Sequence, residues 1–427
     1  MQTLLLNTYR LASRFSGLPL KALLHQRLKA GKEHPERILE RQGQPSIERP
    51  DGSLLWLHAA SVGEAQSALI LIDRLLAAKS DLHILITTGT LTSAELMERR
   101  LPEQAVHQFY PLDHPKWCRS FLNHWKPNYV IWMESELWPN MILAVRKRKI
   151  PAILLNARLS MQSFNRWSSF KGVAEKLLST FKTILAQTET DHQRFDKLGH
   201  KNVPVTDNIK YSAAPLPFDE KELSVLKEAI GERPCWVYAS THDGEEKLAC
   251  DIHKSLKERF PNLLTIIVPR HPERRDEIAK LVSEQNLNLA LRSKGTPVDD
   301  STDIYIADTL GELGLFYNLC PIAVIGRSFS NDGGGGHNPI EAAQADCAVL
   351  SGPHIEYQSD LFDTMLAENA VYIAQNETAL TAMIDDLLSN PAALKAMQDQ
   401  AQAFAKNKAD VIDTVMEHVT KTFKIKS

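Results

Sequence analysis

Trp56-Leu57-His58-Ala59-Ala60-Ser61-Val62-Gly63-Glu64 reads as an apolar strand that ends in a turn of small residues and delivers a carboxylate near the start of a helix. The helix continues through Leu69, Ile70, Ile72 and Leu76. A strand, a tight turn and a helix of this kind form the first half of a βαβ unit. The turn then lies at the carboxyl edge of a parallel sheet, where α/β proteins keep their ligands. Gly63 allows a ligand to approach the backbone closely. Glu64 is either a favourable charge at a helix N-terminus or a general base at the sheet edge. Its position after a strand favours the second reading.

The same rhythm runs outward along the chain. Short, continuous apolar runs predict strands at 54–59, 84–87, 129–133, 152–155 and 183–186. A second series is predicted at 235–239, 263–268, 303–306, 322–325, 348–350 and 371–373. Such runs belong to strands buried on both faces of a parallel sheet. Stretches of crossover length, 66–78 and 245–260 among them, read as helices. Tyr211-Ser212-Ala213-Ala214-Pro215-Leu216-Pro217-Phe218 breaks the pattern with two prolines and marks a linker. At 427 residues the chain exceeds one ordinary core. The expected architecture is two Rossmann-like, doubly wound domains facing across a cleft, spanning 33–213 and 214–427. The C-terminal stretch Pro391–Phe423 reads as helix that packs on either domain.

Composition narrows the function classes. A net charge of -3 gives no basic excess for general nucleic-acid binding. The five cysteines are scattered and contain no CxxC pair, which fits a reducing compartment without a zinc site. Residues 1–32 differ from the rest: Arg10, Arg14, Lys21, Arg27, Lys29 and Lys32 occur there without an acid, interleaved with leucines and aromatics. No apolar run there approaches the ~20 residues that cross a bilayer. The segment either lies in the interface of an anionic membrane or packs on the protein as an ordinary helix.

Several other strand ends carry chemistry. Glu134 and Glu136 follow the run 129–133, where they either tune one another's ionisation and hold a substrate hydroxyl or cap the Trp138-Pro139 turn. Arg158, with Ser163 and Arg166, is suited to a phosphate or carboxylate. In the second half Pro269 and Arg270 end a strand. Gly311, Glu312 and Leu313 open a helix after another, and Gly333–Gly336 leads into Asn338, Pro339, Ile340 and Glu341. Backbone N–H groups at such helix starts bind anions, Pro339 suits a first turn, and Glu341 is placed to take ribose hydroxyls. Three such loops in one βαβ domain predict nucleotide binding. There is no GxxxxGK[ST], no GxSxG, no HExxH and no GxGxxG after the first strand, so P-loop, hydrolase-elbow, zincin and NAD chemistries are set aside. No Asp-x-Asp follows a strand, so no metal neutralising a diphosphate is expected.

These stretches resemble the 3-deoxy-D-manno-octulosonic acid (Kdo) transferases of lipopolysaccharide synthesis. The resemblance covers nearly the whole chain through His58–Glu64, Glu134–Asn140, Asn156–Ser160, Asn208–Tyr211, Pro269–His271, Gly311–Gly314 and Gly336–Glu341. It implies a GT-B glycosyltransferase, inverting and metal-independent, with CMP-Kdo as donor substrate, no further cofactor and a lipid A precursor as acceptor. By resemblance Glu64 is the general base, and Glu134 and Lys210 stabilise the transition state. Pro269, Arg270, Gly311, Glu312, Leu313, Asn338, Pro339, Ile340 and Glu341 contact CMP. It also places the protein at the cytoplasmic face of the inner membrane, on the anionic surface that residues 1–32 would meet. Ser135, Asp207 and Ala342 stand where the family usually has threonine, glycine and proline; Asp207 bears on the loop that holds Lys210. The competing expectations are another GT-B nucleotide-sugar transferase, an epimerase, or an inactive nucleotide-sugar binder.

Overall fold

The computed structural model describes residues 2–134, 136–212, 215–330, 332–333 and 335–425. Ser135, the linker residues Ala213 and Ala214, and Gly334 of the glycine run lie outside the described residues. The chain forms two compact units: Met1–Ser212 joined by Asp410–Ser427, and Ala213–Ala409.

Among the described residues the first unit contains one parallel sheet. Its strands are β1 (Ser53–His58), β2 (Leu82–Thr88), β3 (Ala105–Phe109), β4 (Tyr129–Met133), β5 (Ala152–Ala157) and β6 (Thr183–Ala186). Their order is β3-β2-β1-β4-β5-β6, the doubly wound arrangement with its reversal between β1 and β4. Within β1, Leu54 and Trp56 enter one core and Leu55 and Leu57 the other. That burial on both faces is why the strand has no polar alternation.

The second unit has β7 (Cys235–Thr241), β8 (Leu264–Pro269), β9 (Leu289–Leu291), β10 (Ile304–Ile306), β11 (Ile322–Ile325), β12 (Ala348–Ser351) and β13 (Tyr372–Ile373). The parallel order is β13-β12-β11-β7-β8-β10-β9, so the reversal falls between β7 and β11. Gly326 is required there. A Cβ at this position would stand 2.3 Å from the Ser240 carbonyl oxygen, so only glycine lets the two strand ends run this close.

The strand readings at 129–133, 183–186 and 322–325 match the structure end to end, and the other runs match to within a few residues. β3 and β9 escape the sequence. Both lie at sheet edges; β3 carries polar His107 and Gln108, and β9 has only three residues. The helix predicted over 391–423 is two helices, Pro391–Ala409 and Val411–Phe423. The break at Asp410 returns the chain to the first unit. There Val415, Val419 and Phe423 enter the core, and Ile412 N–H donates to Ser212 Oγ at 3.0 Å.

Residues 1–32 are integral to the first unit rather than a separate segment. They form helices Gln2–Phe15 and Gly17–Lys29. One side packs: Leu6 and Leu24 are buried, Tyr9 Oη donates to Asp113 at 2.9 Å, and Asn140 Nδ2 donates to Ser13 Oγ at 3.0 Å. The other side exposes Leu11, Phe15 (77 %), Leu18 (81 %) and Leu23. Among the described residues, no helix is long and apolar enough to cross a membrane.

Candidate active site

The turn after β1 is built around Glu64. Ser61 caps the helix Val62–Ala78 by accepting the Glu64 N–H at 3.3 Å, and Glu64 Oε2 accepts the Ala60 N–H at 2.8 Å. The capping role that competed with catalysis is therefore real. It occupies one carboxylate oxygen, and no hydrogen bond from the described residues reaches Oε1. Glu64 is buried, and burial, followed by the negative charge of Glu134, pushes its pKa up to about 7. A carboxylate so placed shares its proton with water near neutral pH, as a general base requires.

Glu134 follows β4, across the reversal from β1. Its backbone is left-handed, with φ of 55°. A non-glycine residue held there costs roughly 1–3 kcal/mol and persists only where the surroundings impose it. Its N–H donates to the Leu155 carbonyl at 2.9 Å, and its side chain lies 3.9 Å from Lys210 Nζ. Lys210 completes the cluster from the other direction: a Cβ added to Gly63 would stand 3.4 Å from Lys210 Nζ. Glu64, Glu134 and Lys210 thus come together from three distant stretches of chain.

Asn156 explains how Lys210 is held. Also left-handed, with φ of 54°, it accepts the Ile209 N–H on Oδ1 at 3.1 Å, while Lys210 N–H donates to Asn208 Oδ1 at 3.1 Å. Asp207 has φ of 66°, the conformation for which glycine is the usual residue. Glu136 is exposed and accepts the Trp138 indole N–H at 3.2 Å. Arg158 is exposed.

In the second unit the residues read as nucleotide contacts sit after β8, β10 and β11. Pro269 closes β8, and Arg270, exposed, donates its N–H to the Thr241 carbonyl at 3.0 Å. Gly311 has φ of 82° and leads into the helix Leu313–Leu319. The Glu312 carboxylate is engaged within the protein: Arg292 holds it at 2.7 and 3.1 Å, and Thr309 donates to it. Arg292 in turn holds the carboxyl of Glu312 below the usual range. Asn338 Nδ2 donates to Glu341 Oε1 at 3.1 Å and Asn338 Oδ1 accepts the Ile340 N–H at 3.2 Å, while burial raises the pKa of Glu341. The helices that start at Leu313 and Ile340 have seven and five residues. They offer N–H groups rather than a long dipole.

The sequence reading passed over His242 and Glu245. His242 follows β7; its Nε2 lies 3.0 Å from His337 Nε2 and its Nδ1 2.9 Å from Asp332. Glu245 is buried and accepts from Tyr238 Oη and from the N–H groups of His242, Arg327, Ser328 and Phe329 at 2.7–3.2 Å. It ties the turn after β7 to the turn after β11. A histidine just past a strand, three residues before Glu245-Glu246, was the available signal.

Two parallel doubly wound units with carboxylates and a lysine at a strand-order reversal define a GT-B type glycosyl-transfer scaffold. Solved structures support the fold alone: UDP-GlcNAc 2-epimerase from Neisseria meningitidis has a TM-score of 0.54 at 14% identity, covering 87% of this chain and 100% of that one. MurG from Acinetobacter baumannii gives 0.52 at 11%, with 87% and 100% covered. The family model for 3-deoxy-D-manno-octulosonic-acid transferase matches residues 34–213. The chain is 34% identical to the 3-deoxy-D-manno-octulosonic acid transferase of Rickettsia bellii over 93% of this chain and 94% of the relative. The corresponding figures are 38%, 86% and 79% for the Rickettsia felis enzyme, and 33%, 83% and 84% for that of Haemophilus influenzae. The chain belongs to the 3-deoxy-D-manno-octulosonic acid transferase family.

Proposed function

We propose that this transferase moves Kdo from CMP-Kdo to a lipid A precursor, with inversion and without a metal ion. The observation that carries this reading is the Glu64 carboxyl, poised near pH 7 with Glu134 and Lys210 beside it. Cytidine monophosphate leaves from the anomeric carbon of Kdo, and positive charge develops there. A hydroxyl of the acceptor attacks the opposite face and inverts the centre. Glu64 takes the hydroxyl proton on Oε1. Glu134 answers the developing positive charge or orients the attacking hydroxyl, and Lys210 balances the Kdo carboxylate or the leaving group. Arg270 and the N–H groups at Gly311–Leu313 and Asn338–Glu341 receive the cytidylate, a preorganised electrostatic contribution. Glu312 contributes through its backbone, since its carboxylate is already paired. A monophosphate leaving group carries less charge than a diphosphate and places less demand on a metal. The apolar outward side of the two N-terminal helices, with its lysines and arginines, suits the anionic cytoplasmic face of an inner membrane.

The test is incubation of purified protein with CMP-Kdo and one defined lipid A precursor, followed by mass spectrometry of the lipid. A mass increase of one or more Kdo units is expected; an unchanged lipid with intact donor rejects the reading.

The pH dependence follows from the same carboxyl. The base acts deprotonated, so kcat/KM should fall about ten-fold per unit below a pKa of about 7 and level off above it. A profile flat from pH 5.5 to 8 would assign proton removal to another group.

A further inference from the structure

The first unit holds a cavity of about 300 Å³ that the chemistry above does not use. It adjoins the base: Ala60, bonded to Glu64 Oε2, and Glu136 lie on its wall. The volume is at the lower end of small-ligand sites. Leu23, Leu112 and Trp138 supply apolar surface, while Arg27 and Arg41 supply charge.

That charge is not fully balanced. Arg27 Nε lies 2.6 Å from Glu33 Oε1 and Arg41 Nε 3.4 Å from Glu33 Oε2, so two guanidiniums share one buried carboxylate. Arg41 is more than nine-tenths buried. Asp113, also on the wall, is committed to Tyr9 Oη and to the N–H groups of Asn140 and Met141, each at 2.9 Å. Glu136 is exposed and screened by solvent.

Hydrogen-bonding capacity is also left over. Arg41 Nε, His58 Nε2 and Tyr110 Oη belong to wall residues, are buried, and have no hydrogen-bond partner among the described residues. Thr87 Oγ1 accepts the Trp56 indole N–H at 2.9 Å and lies 2.9 Å from His58 Nδ1. With Thr87 donating to Nδ1, the proton of the neutral ring sits on Nε2. Burial lowers the His58 pKa to about 3, so this ring offers a donor without a charge. Each buried donor left unmade costs roughly 1–3 kcal/mol, a cost that an acceptor-rich guest removes.

We infer that this cavity binds an oxyanion, a phosphate or a carboxylate, carried on the acceptor sugar, and that Arg27 and Arg41 hold it so that the attacking hydroxyl faces Glu64. The inference rests on the transferase reading and deepens it.

The test compares acceptors bearing a phosphate, bearing a carboxymethyl group, and bearing neither, in the full-length protein. The measured quantity is the ratio of kcat/KM for each charged acceptor to that for the uncharged one. Arg27→Gln, at a side chain about one-third exposed, should lower the ratio roughly ten-fold or more. Arg41→Lys, which keeps the charge but loses the fork, should lower it in the same direction. Arg99→Gln, an equal charge change at an exposed helix position away from the cavity, should leave the ratio at the wild-type value. The charged acceptor that loses more identifies the anion. An Arg27→Gln ratio equal to wild type overturns the inference. Absence of transfer to every acceptor by the wild-type protein would instead reject the transferase reading.

Discussion

Glu64→Gln is expected to lower kcat by roughly 10²–10⁴-fold while the protein stays folded and the nucleotide-binding unit keeps its affinity. The substitution is close to isosteric. A glutamine carbonyl can accept the Ala60 N–H that Glu64 Oε2 now takes at 2.8 Å, so the turn after β1 retains its shape. What disappears is the one group in the cluster whose pKa, about 7, suits proton removal at neutral pH.

The linkage sign separates this variant from a structural lesion. The native pKa lies above the unfolded value, because burial and Glu134 favour the protonated form. The protonated carboxyl therefore contributes stability below the unfolded pKa near 4.5, and that contribution is lost as pH rises through about 7. Glutamine is uncharged throughout. At pH 8 the variant should be at least as stable as the parent, and more so relative to it than at pH 4.5. Single-turnover kinetics with thermal melts at the two pH values read both effects. Near-normal turnover would sink the base assignment; a lower melting temperature at pH 8 would sink the account of Glu64 burial.

Glu245→Ala should destabilise the second unit by several kcal/mol. The carboxylate accepts the N–H groups of His242, Arg327, Ser328 and Phe329 and the Tyr238 hydroxyl. Alanine leaves four backbone donors without this acceptor at a site closed to water, at roughly 1–3 kcal/mol for each one left unmet. Even if half regain water, the loss is a large share of the ~5–15 kcal/mol that holds a domain folded. Denaturant unfolding should show a lower midpoint, and amide exchange should quicken first at Arg327–Phe329. A change below about 1 kcal/mol would mean that water or relaxation replaces the carboxylate. Glu245 also sets the spacing between the turns after β7 and β11, so weakened donor binding should accompany the instability.

Much of this was legible before any coordinates. Strands such as Tyr129–Met133 and Ile322–Ile325 are buried on both faces, and burial of that kind writes an unbroken apolar run. Edge strands write a weaker one: Ala105–Phe109 and Leu289–Leu291 met polar residues or ended too soon. Among site residues, Glu64 and Glu134 announced themselves because each directly follows such a run. His242 and Glu245 did not, because hydrogen bonds to backbone N–H groups far along the chain leave no local pattern.

Periodicity and strand-end chemistry in the chain itself establish two parallel α/β units, a carboxylate-bearing half and an anion-binding half, since these depend on short-range burial and on residue type. Folding alone decides that β4 lies beside β1, that Asn156 sets the Lys210 segment beside Gly63, and that the last helix rejoins the first unit. Those are non-local pairings, and their stabilisation comes from contacts between segments tens to hundreds of residues apart. The raised Glu64 pKa belongs with them, because burial and the nearness of Glu134 exist only once the sheet has formed.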